Sequence, residues 1–364
     1  MIYFVAFAVL AFLAILESQG KLGRARIPLL WMAAVFFVLL AGLKWDRGTD
    51  WPPYLMFFGQ SLPGMPWYAG SFELGYVLWN RVIAAIWANY SFFMTLTATL
   101  CVAAIMGALW KNKILTFAAL AVLFANTLVA FSLTRQTIAG SLVLLAFSFL
   151  SERRRLPFIV LVFIAASFHV TALLALAALA FDREAGLAAI VVFFAALLAF
   201  SYVGVWRIGL ELAGNLLPAG HVRSRIQDYL ASRSSFGLSA TPFREILGPA
   251  KHLILFAVLA YYRFGRFKED QSYRFFFNLY SFGVAIYLAT TSDLLAFQRV
   301  FWYFNPAQAF LVPSILKSES GRRKTLLGVF LVGYFGILLY FTLRSYWGEY
   351  VPYASILSLP RPGK

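Results

Sequence analysis

Apolar runs close to the length of a bilayer crossing recur along this chain, and they leave it few ways to fold. A helix needs about 17–25 apolar residues to span the hydrocarbon core. Candidate spans lie at 2–16, 27–43, 91–109, 114–132, 136–150, 186–206, 253–264, 274–291, 297–316 and 325–343. Composition points the same way. Of the 364 residues, 62% are hydrophobic and only 13% charged, whereas a soluble domain carries about a quarter charged residues. Mean hydropathy is +0.77. Aromatic side chains reach 18%, as expected where Trp and Tyr rings sit at membrane interfaces. The lone Cys101 lies in an apolar run, which rules out a disulfide framework or a cysteine metal site within one chain. The expected fold is an all-α polytopic membrane protein with about 11–12 transmembrane helices. To these the reading adds re-entrant or interfacial helices and a long outer loop at 207–248, all within one membrane domain spanning 1–364.

The net charge of +16 invites a nucleic-acid reading, but the basic residues do not gather on one soluble face as such binding requires. They punctuate the apolar runs instead: Lys21, Arg24 and Arg26; Lys111 and Lys113; Arg153, Arg154 and Arg155; Arg263, Arg266 and Lys268; Arg322, Arg323 and Lys324. The positive-inside rule assigns such clusters to the cytoplasm. Residues 2–16 lack a basic leader and a small-residue cleavage site, so they read as a first helix with its N-terminus outside. Keeping every cluster inside imposes two conditions. Segment 72–88, which contains Glu73, Asn80 and Arg81, must be interfacial or re-entrant. Segment 156–181 must form two short helices meeting near His169, a shape tolerated where the tip lines a protein cavity or water. Residues 44–54, Arg135, Gln136, His169, 207–248 and 293–299 then all reach the outer face. Polar residues collected on one side of a membrane protein read as a site.

The first outer loop runs from Lys44 through Trp45, Asp46, Arg47, Gly48, Thr49, Asp50 and Trp51 to Pro52, Pro53 and Tyr54. Gly48 permits a tight turn, and the two prolines stiffen the backbone leading into Tyr54. Asp50 is thereby presented among aromatic rings, an arrangement that suits a sugar and equally suits an interfacial belt. Arg135, at the head of an apolar run, is placed to grip a phosphate through its planar fork, or to snorkel at a helix end. His169 has no charged neighbour in sequence, but an ionisable group in such a segment usually faces an interior cavity, where imidazole can carry a proton. Arg299, followed by Val300, Phe301, Trp302, Tyr303 and Phe304, offers a second phosphate contact, or a partner for Asp293. The 207–248 loop, with His221, Arg223, Arg225, Arg233 and Arg244, reads either as a lid over substrate or as a solvated loop. No Walker A, HExxH, GxSxG or dinucleotide fingerprint occurs. No dense metal-ligand cluster is present and no soluble α/β nucleotide-sugar domain is attached, so glycosyl chemistry here would need a lipid-linked donor.

Taken in order, these segments resemble the EpsG-like (Wzy-type) family of exopolysaccharide and O-antigen polymerases. Its Arg-x-x-x-Gly-x-Asp-x-x-x-Tyr stretch is matched by Lys44, Gly48, Asp50 and Tyr54. The Lys keeps the charge but lacks the bidentate fork, which Arg47 is near enough in sequence to supply. Phe72, Glu73, Leu74, Gly75 and Tyr76 look like the Glu-containing segment. Arg135, Gln136 and Ala139 match its Arg-Gln-x-x-Ala, Phe168 and His169 its Phe-His, and Arg299, Tyr303 and Phe304 its late Arg-x-x-x-Tyr-Phe.

The resemblance implies a glycosyltransferase of the bacterial cytoplasmic (inner) membrane with its site facing the exterior. It would join undecaprenyl-diphosphate-linked oligosaccharide units, with no cofactor expected and no metal ligands assigned. Asp50, His169 and Arg135 become the expected catalytic residues. Lys44, Arg47, Tyr54, Glu73, Gln136, Arg299 and Tyr303 are expected to bind substrate. The partners implied are the lipid-linked oligosaccharide and the lipid bilayer, with a chain-length regulator and a flippase of the same pathway, and no nucleic acid. Rival readings are a flippase for the same lipid-linked units, an O-antigen-ligase-like transferase, or an acyl transferase using His169. A flippase would be expected to carry an internal repeat and mid-membrane charges, neither of which is evident.

Overall fold

Hydropathy predicts helices, and in a computed structural model the described residues form helices joined by short turns, with no strand among them. The structure describes residues 2–48, 50–67, 72–112, 114–128, 135–181, 184–203, 205–216, 242–290, 298–345 and 347–358, together with 218, 220, 223–224, 226–227 and 230. Two compact units emerge: Met1–Ala177 with Gln308–Lys364, and Ala178–Ala307.

The first unit begins with α1 (Ile2–Ser18), α2 (Arg26–Gly42), α3 (Trp51–Gln60), α4 (Leu74–Ile86), α5 (Tyr90–Lys111), α6 (Thr116–Leu123), α7 (Arg135–Leu150) and α8 (Arg155–Phe168). A π-helical turn at Phe124–Leu128 extends α6, and a 3-10 stretch, Val170–Ala180, follows α8. The second unit holds α9 (Leu187–Val203), α10 (Val205–Leu216), α11 (Pro242–Phe264), α12 (Gln271–Ala289) and α13 (Gln298–Phe304). The first unit resumes with α14 (Gln308–Ser318), α15 (Gly321–Ser345) and α16 (Trp347–Tyr350).

Three stretches are long and apolar enough to cross a bilayer alone: Gly23–Gly42, Tyr90–Lys111 and Gly321–Arg344. Leu187–Val203 with Ile208–Leu216, bent by 59°, adds a fourth candidate, and six shorter apolar helices accompany them. Their outer surfaces are as apolar as their inner ones. Phe12 is 60% exposed, Met32 65% and Trp31 67%, and apolar faces this extensive require a lipid solvent. The protein is a multi-pass all-α membrane protein.

The polar ends of the first unit are sorted. Glu17, buried at the end of α1, accepts hydrogen bonds from Arg26 Nε at 2.7 Å, Thr116 N at 3.1 Å and Phe117 N at 2.8 Å. Arg26 also donates to Thr116 Oγ1 at 3.0 Å and the Ile114 carbonyl at 3.3 Å. Lys324 at the head of α15 donates to the Ser18 carbonyl, and Lys111 at the foot of α5 pairs with Glu152 beyond α7. Four of the basic clusters read from the sequence therefore share one end of this unit. The loop after α2, the head of α7 and the foot of α8 lie at the opposite ends of those helices. As expected, 72–88 does not form a full span: α4 has 13 residues, about 20 Å of helix, against a hydrocarbon core of about 30 Å. The chain also breaks at His169, as expected, between α8 and the 3-10 stretch.

Two boundaries differ from the sequence reading. The run 297–316 is divided at Asn305–Ala307, because Pro306 disfavours helical geometry at the residue before it. The expected 207–248 loop is helical at both ends, in α10 and in the first turns of α11, which starts at Pro242 and not near 253. His221, Arg225, Arg233 and Asp293 lie outside the described residues. In the second unit, Tyr273 Oη donates to the Leu259 carbonyl at 3.1 Å and Tyr280 Oη to the His252 carbonyl at 3.3 Å, which joins α11 to α12.

Removing the Glu17 carboxylate strands two backbone N–H groups and one guanidinium donor. Glu17→Ala is expected to cost about 2–3 kcal/mol, read as a lower thermal midpoint in detergent. An unchanged midpoint would show that the network contributes nothing.

Candidate functional site

Five residues from distant parts of the first unit converge where α7 begins and α8 ends: Tyr54, Phe72, Glu73, Arg135 and His169. Prolines in the first turn of α3 set its start and bring Tyr54 round on the next turn. Glu73 is the extended residue that caps α4. Gly75, two residues on, lets the first turn of α4 press against the foot of α8. A Cβ there would sit 2.3 Å from Ser167 Oγ and 2.7 Å from the Ser167 carbonyl oxygen. That close approach sets Glu73 beside His169, whose extended backbone (φ −155°, ψ 110°) ends α8.

Glu73 is the hub. Its Oε2 pairs with Arg135 Nη1. Its Oε1 lies 3.0 Å from His169 Nδ1 and accepts the Val170 N–H at 3.2 Å. Arg135 Nε donates to Tyr54 Oη at 3.4 Å, and its guanidinium lies over the Phe72 ring, 4.6 Å from the centroid. Tyr54, Phe57, Phe72 and Tyr76 pack as a ring cluster behind it. Burial acts to raise the Glu73 pKa. The His169 hydrogen bond, the Arg135 charge and backbone N–H donors outweigh it and hold the carboxyl down at about 2. Burial pushes the Tyr54 phenol up, only partly offset by Arg135, so its oxygen is present as a neutral hydroxyl. The side chains of Arg135, Glu73 and His169 remain 21%, 18% and 22% exposed, which leaves the cluster accessible from one side. A cation, an ionised carboxylate and an imidazole in this order can bind an anion and accept a proton within one site.

The first outer loop turns at its glycine, as its sequence suggests. Gly48 adopts φ +100°, in the region open to glycine. The segment after α15 lies along this loop: Gly48 N donates to the Glu349 carbonyl at 3.0 Å, Trp45 N to Ala354 at 3.0 Å, and Ile356 N to Leu43 at 3.0 Å. Lys44 and Ser355 form a β-bridge, and Lys44 Nζ lies 5.5 Å from the centre of the Tyr350 ring. Lys44 is only 4% exposed. Burial lowers its pKa to about 7, with Asp50 opposing the shift. Asp50 itself is exposed, precedes α3, and lies within electrostatic range of both Lys44 and Tyr54.

Of the remaining expected site residues, Arg47 is half-buried in the same loop with its Nε unpartnered. Gln136 follows Arg135 in the first turn of α7. Arg299 and Tyr303 belong to α13 of the second unit; Tyr303 is buried, and the Arg299 side chain is outside the described residues. Among the described residues no group of His, Cys, Asp and Glu is arranged to hold a metal ion. Sequence reasoning had Glu73 as one binding residue among seven. A carboxylate inside an aromatic stretch was the available sign that it needs partners.

A family model described as the EpsG family matches residues 28–355. No curated protein and no solved structure matches the chain.

The buried Lys44 gives stability a pH dependence with a definite sign. Its folded pKa lies below its unfolded value, so between about 7 and the usual lysine range the unfolded chain binds more protons. Stability attributable to this residue therefore rises with pH across that window. The thermal midpoint of the wild type relative to Lys44→Met is expected to climb from about pH 7 to about pH 9.5 in detergent. A constant difference would mean that Lys44 is not buried as described.

Proposed function

We propose, from the premise that this chain belongs to the EpsG family of polysaccharide polymerases, that it joins oligosaccharide repeat units carried on undecaprenyl diphosphate at the outer face of the cytoplasmic membrane. The observation that carries this reading is the Glu73-bridged cluster of Arg135 and His169, at the opposite end of the first unit from its basic clusters. With those clusters held in the cytoplasm by the positive-inside rule, the bridged cluster faces outward. Lipid-linked repeat units are available to a transferase there without any nucleotide-sugar domain.

The reaction is glycosyl transfer between two lipid carriers. An acceptor hydroxyl attacks the anomeric carbon at the reducing end of the growing chain. The bond from that carbon to the diphosphate oxygen breaks, and its electron pair leaves with undecaprenyl diphosphate. Negative charge grows on that oxygen as the bond breaks, and a preoriented guanidinium stabilises it more in the transition state than in the ground state. Arg135 takes this role. Asp50 or His169 accepts the hydroxyl proton. Tyr54 holds Arg135 from its Nε side, with the ring cluster packed behind it. Lys44, buried beneath the loop, shapes the position of Asp50 rather than touching the diphosphate.

The test is glycan length in cells that lack the gene and carry Arg135→Ala or His169→Ala, with each variant checked for membrane level. Single lipid-linked units accumulating at the outer face are expected, with polymer reduced by at least about 100-fold, as for loss of one charge-stabilising donor. Units trapped on the cytoplasmic face would identify a flippase, and full-length polymer in both would remove this site from the reaction.

A further inference from the structure

We infer that Glu73 is a positioning residue that fixes the His169 tautomer, so that His169 Nε2, rather than Asp50, is the base for the acceptor hydroxyl. This assignment rests on the polymerase reading and deepens it. Glu73 receives three donors: the Arg135 guanidinium on one oxygen, and the Val170 N–H and the His169 ring on the other. A carboxyl group facing an arginine and a backbone N–H at these positions is an acceptor and has no proton to give. The proton in the 3.0 Å contact between Nδ1 and Oε1 therefore belongs to the imidazole. A neutral imidazole carries one ring proton, so its lone pair is on Nε2. Among the described residues no hydrogen bond occupies that nitrogen, and the side chain is partly open.

Asp50 stands in a different setting. It is exposed, and its charge acts on Lys44 and Tyr54. The carboxylate that orients His169 also grips Arg135, so the leaving-group cation and the base are held at a fixed separation by one side chain. In the transfer step the acceptor oxygen forms the new bond to the anomeric carbon and its proton passes to His169 Nε2. The electron pair of the broken bond departs on the diphosphate. Glu73 then faces an imidazolium, whose charge it stabilises, until the proton passes to water. The charged and titratable groups around His169 are Glu73 from the head of α4 and Arg135 from the head of α7, with Tyr54 of α3 reached through Arg135.

The chain has three histidines, so the ring of His169 can be assigned by difference. The experiment uses the full-length protein, ¹⁵N-histidine labelled, in nanodiscs, with His169→Ala as the subtraction. The wild type is expected to show His169 protonated on Nδ1 and bare on Nε2. Glu73→Gln offers an amide donor to Nδ1, moves the proton to Nε2, and is expected to lower kcat by about 10³–10⁴-fold with KM little changed, as a carboxylate-to-amide change does behind a catalytic histidine elsewhere. Glu73→Asp should recover part of that loss. Glu73→Gln combined with His169→Ala should lose less than the product of the two single losses, since part of the Glu73 effect passes through the His169 ring. A wild-type ring protonated on Nε2, or additive losses in the double variant, would overturn the assignment. An absence of chain extension by the wild type on lipid-linked oligosaccharide would instead overturn the polymerase reading, and the tautomer spectrum would still report on Glu73.

Discussion

Hydrocarbon will not hold an unpaired charge, and much of the architecture of the first unit follows from that exclusion. A charged side chain in the bilayer core costs several kcal/mol unless it finds partners or water. Two carboxylates at helix ends of the first unit are matched in this way. Glu17 gathers one guanidinium donor and two helix-start N–H groups. Glu73 gathers a guanidinium, an imidazole and a backbone N–H. Both carboxylates lie between helices that are far apart in sequence, so each joins elements as well as satisfying itself. The difference between them is exposure. The Glu17 carboxylate itself is sealed, with only its Arg26 partner reaching out, whereas Glu73, Arg135 and His169 are all partly open.

That opening is what separates a structural ion network from a site. Beside a ring cluster the effective dielectric is lowered and the Arg135–Glu73 pair strengthened, yet under the proposed function an arriving diphosphate would bring more negative charge than one carboxylate. Arg135 would bind it without abandoning its orientation, because Tyr54 holds Nε and Phe72 covers one guanidinium face. On that proposal the cation is prearranged for a leaving group instead of being recruited by it. Little reorganisation then remains for the moment of bond breaking, which is how an electrostatic site lowers a barrier.

How much of the fold and the site was legible in the sequence depended on whether the cause was local. The helical fold, the short α4 and the break at His169 follow from apolar length and from where Glu73, Arg81 and the basic clusters fall, all of which can be read within a few residues. Arg135 and His169 stood out because ionisable groups are conspicuous in apolar surroundings. What joins them was not legible, since Glu73 lies 62 positions from Arg135 and 96 from His169. Nor does any pattern announce that Gly75 must meet the Ser167 backbone, because the clash exists only once α4 and α8 are packed. The division of 297–316 at Pro306 was visible as a proline but was outweighed by the apolar run around it.

Lys44 shows the same limit from the other side. Measured against the family pattern, a lysine in place of arginine reads as a lost bidentate contact. In the folded protein the position is buried beneath a segment from the far end of the described chain, with Ser355 bridging its backbone and Tyr350 against its ammonium. A cation that can release its proton suits such a place better than a guanidinium that cannot. The segment that covers it, 347–358, follows α15 in the chain, so it reaches the loop only after that helix has been added to the unit. The backbone hydrogen bonds from Leu43 to Gly48 are then satisfied by the last part of the described chain. The loop that carries Asp50 thus takes its form from a segment distant in sequence, which no local pattern around the loop announces.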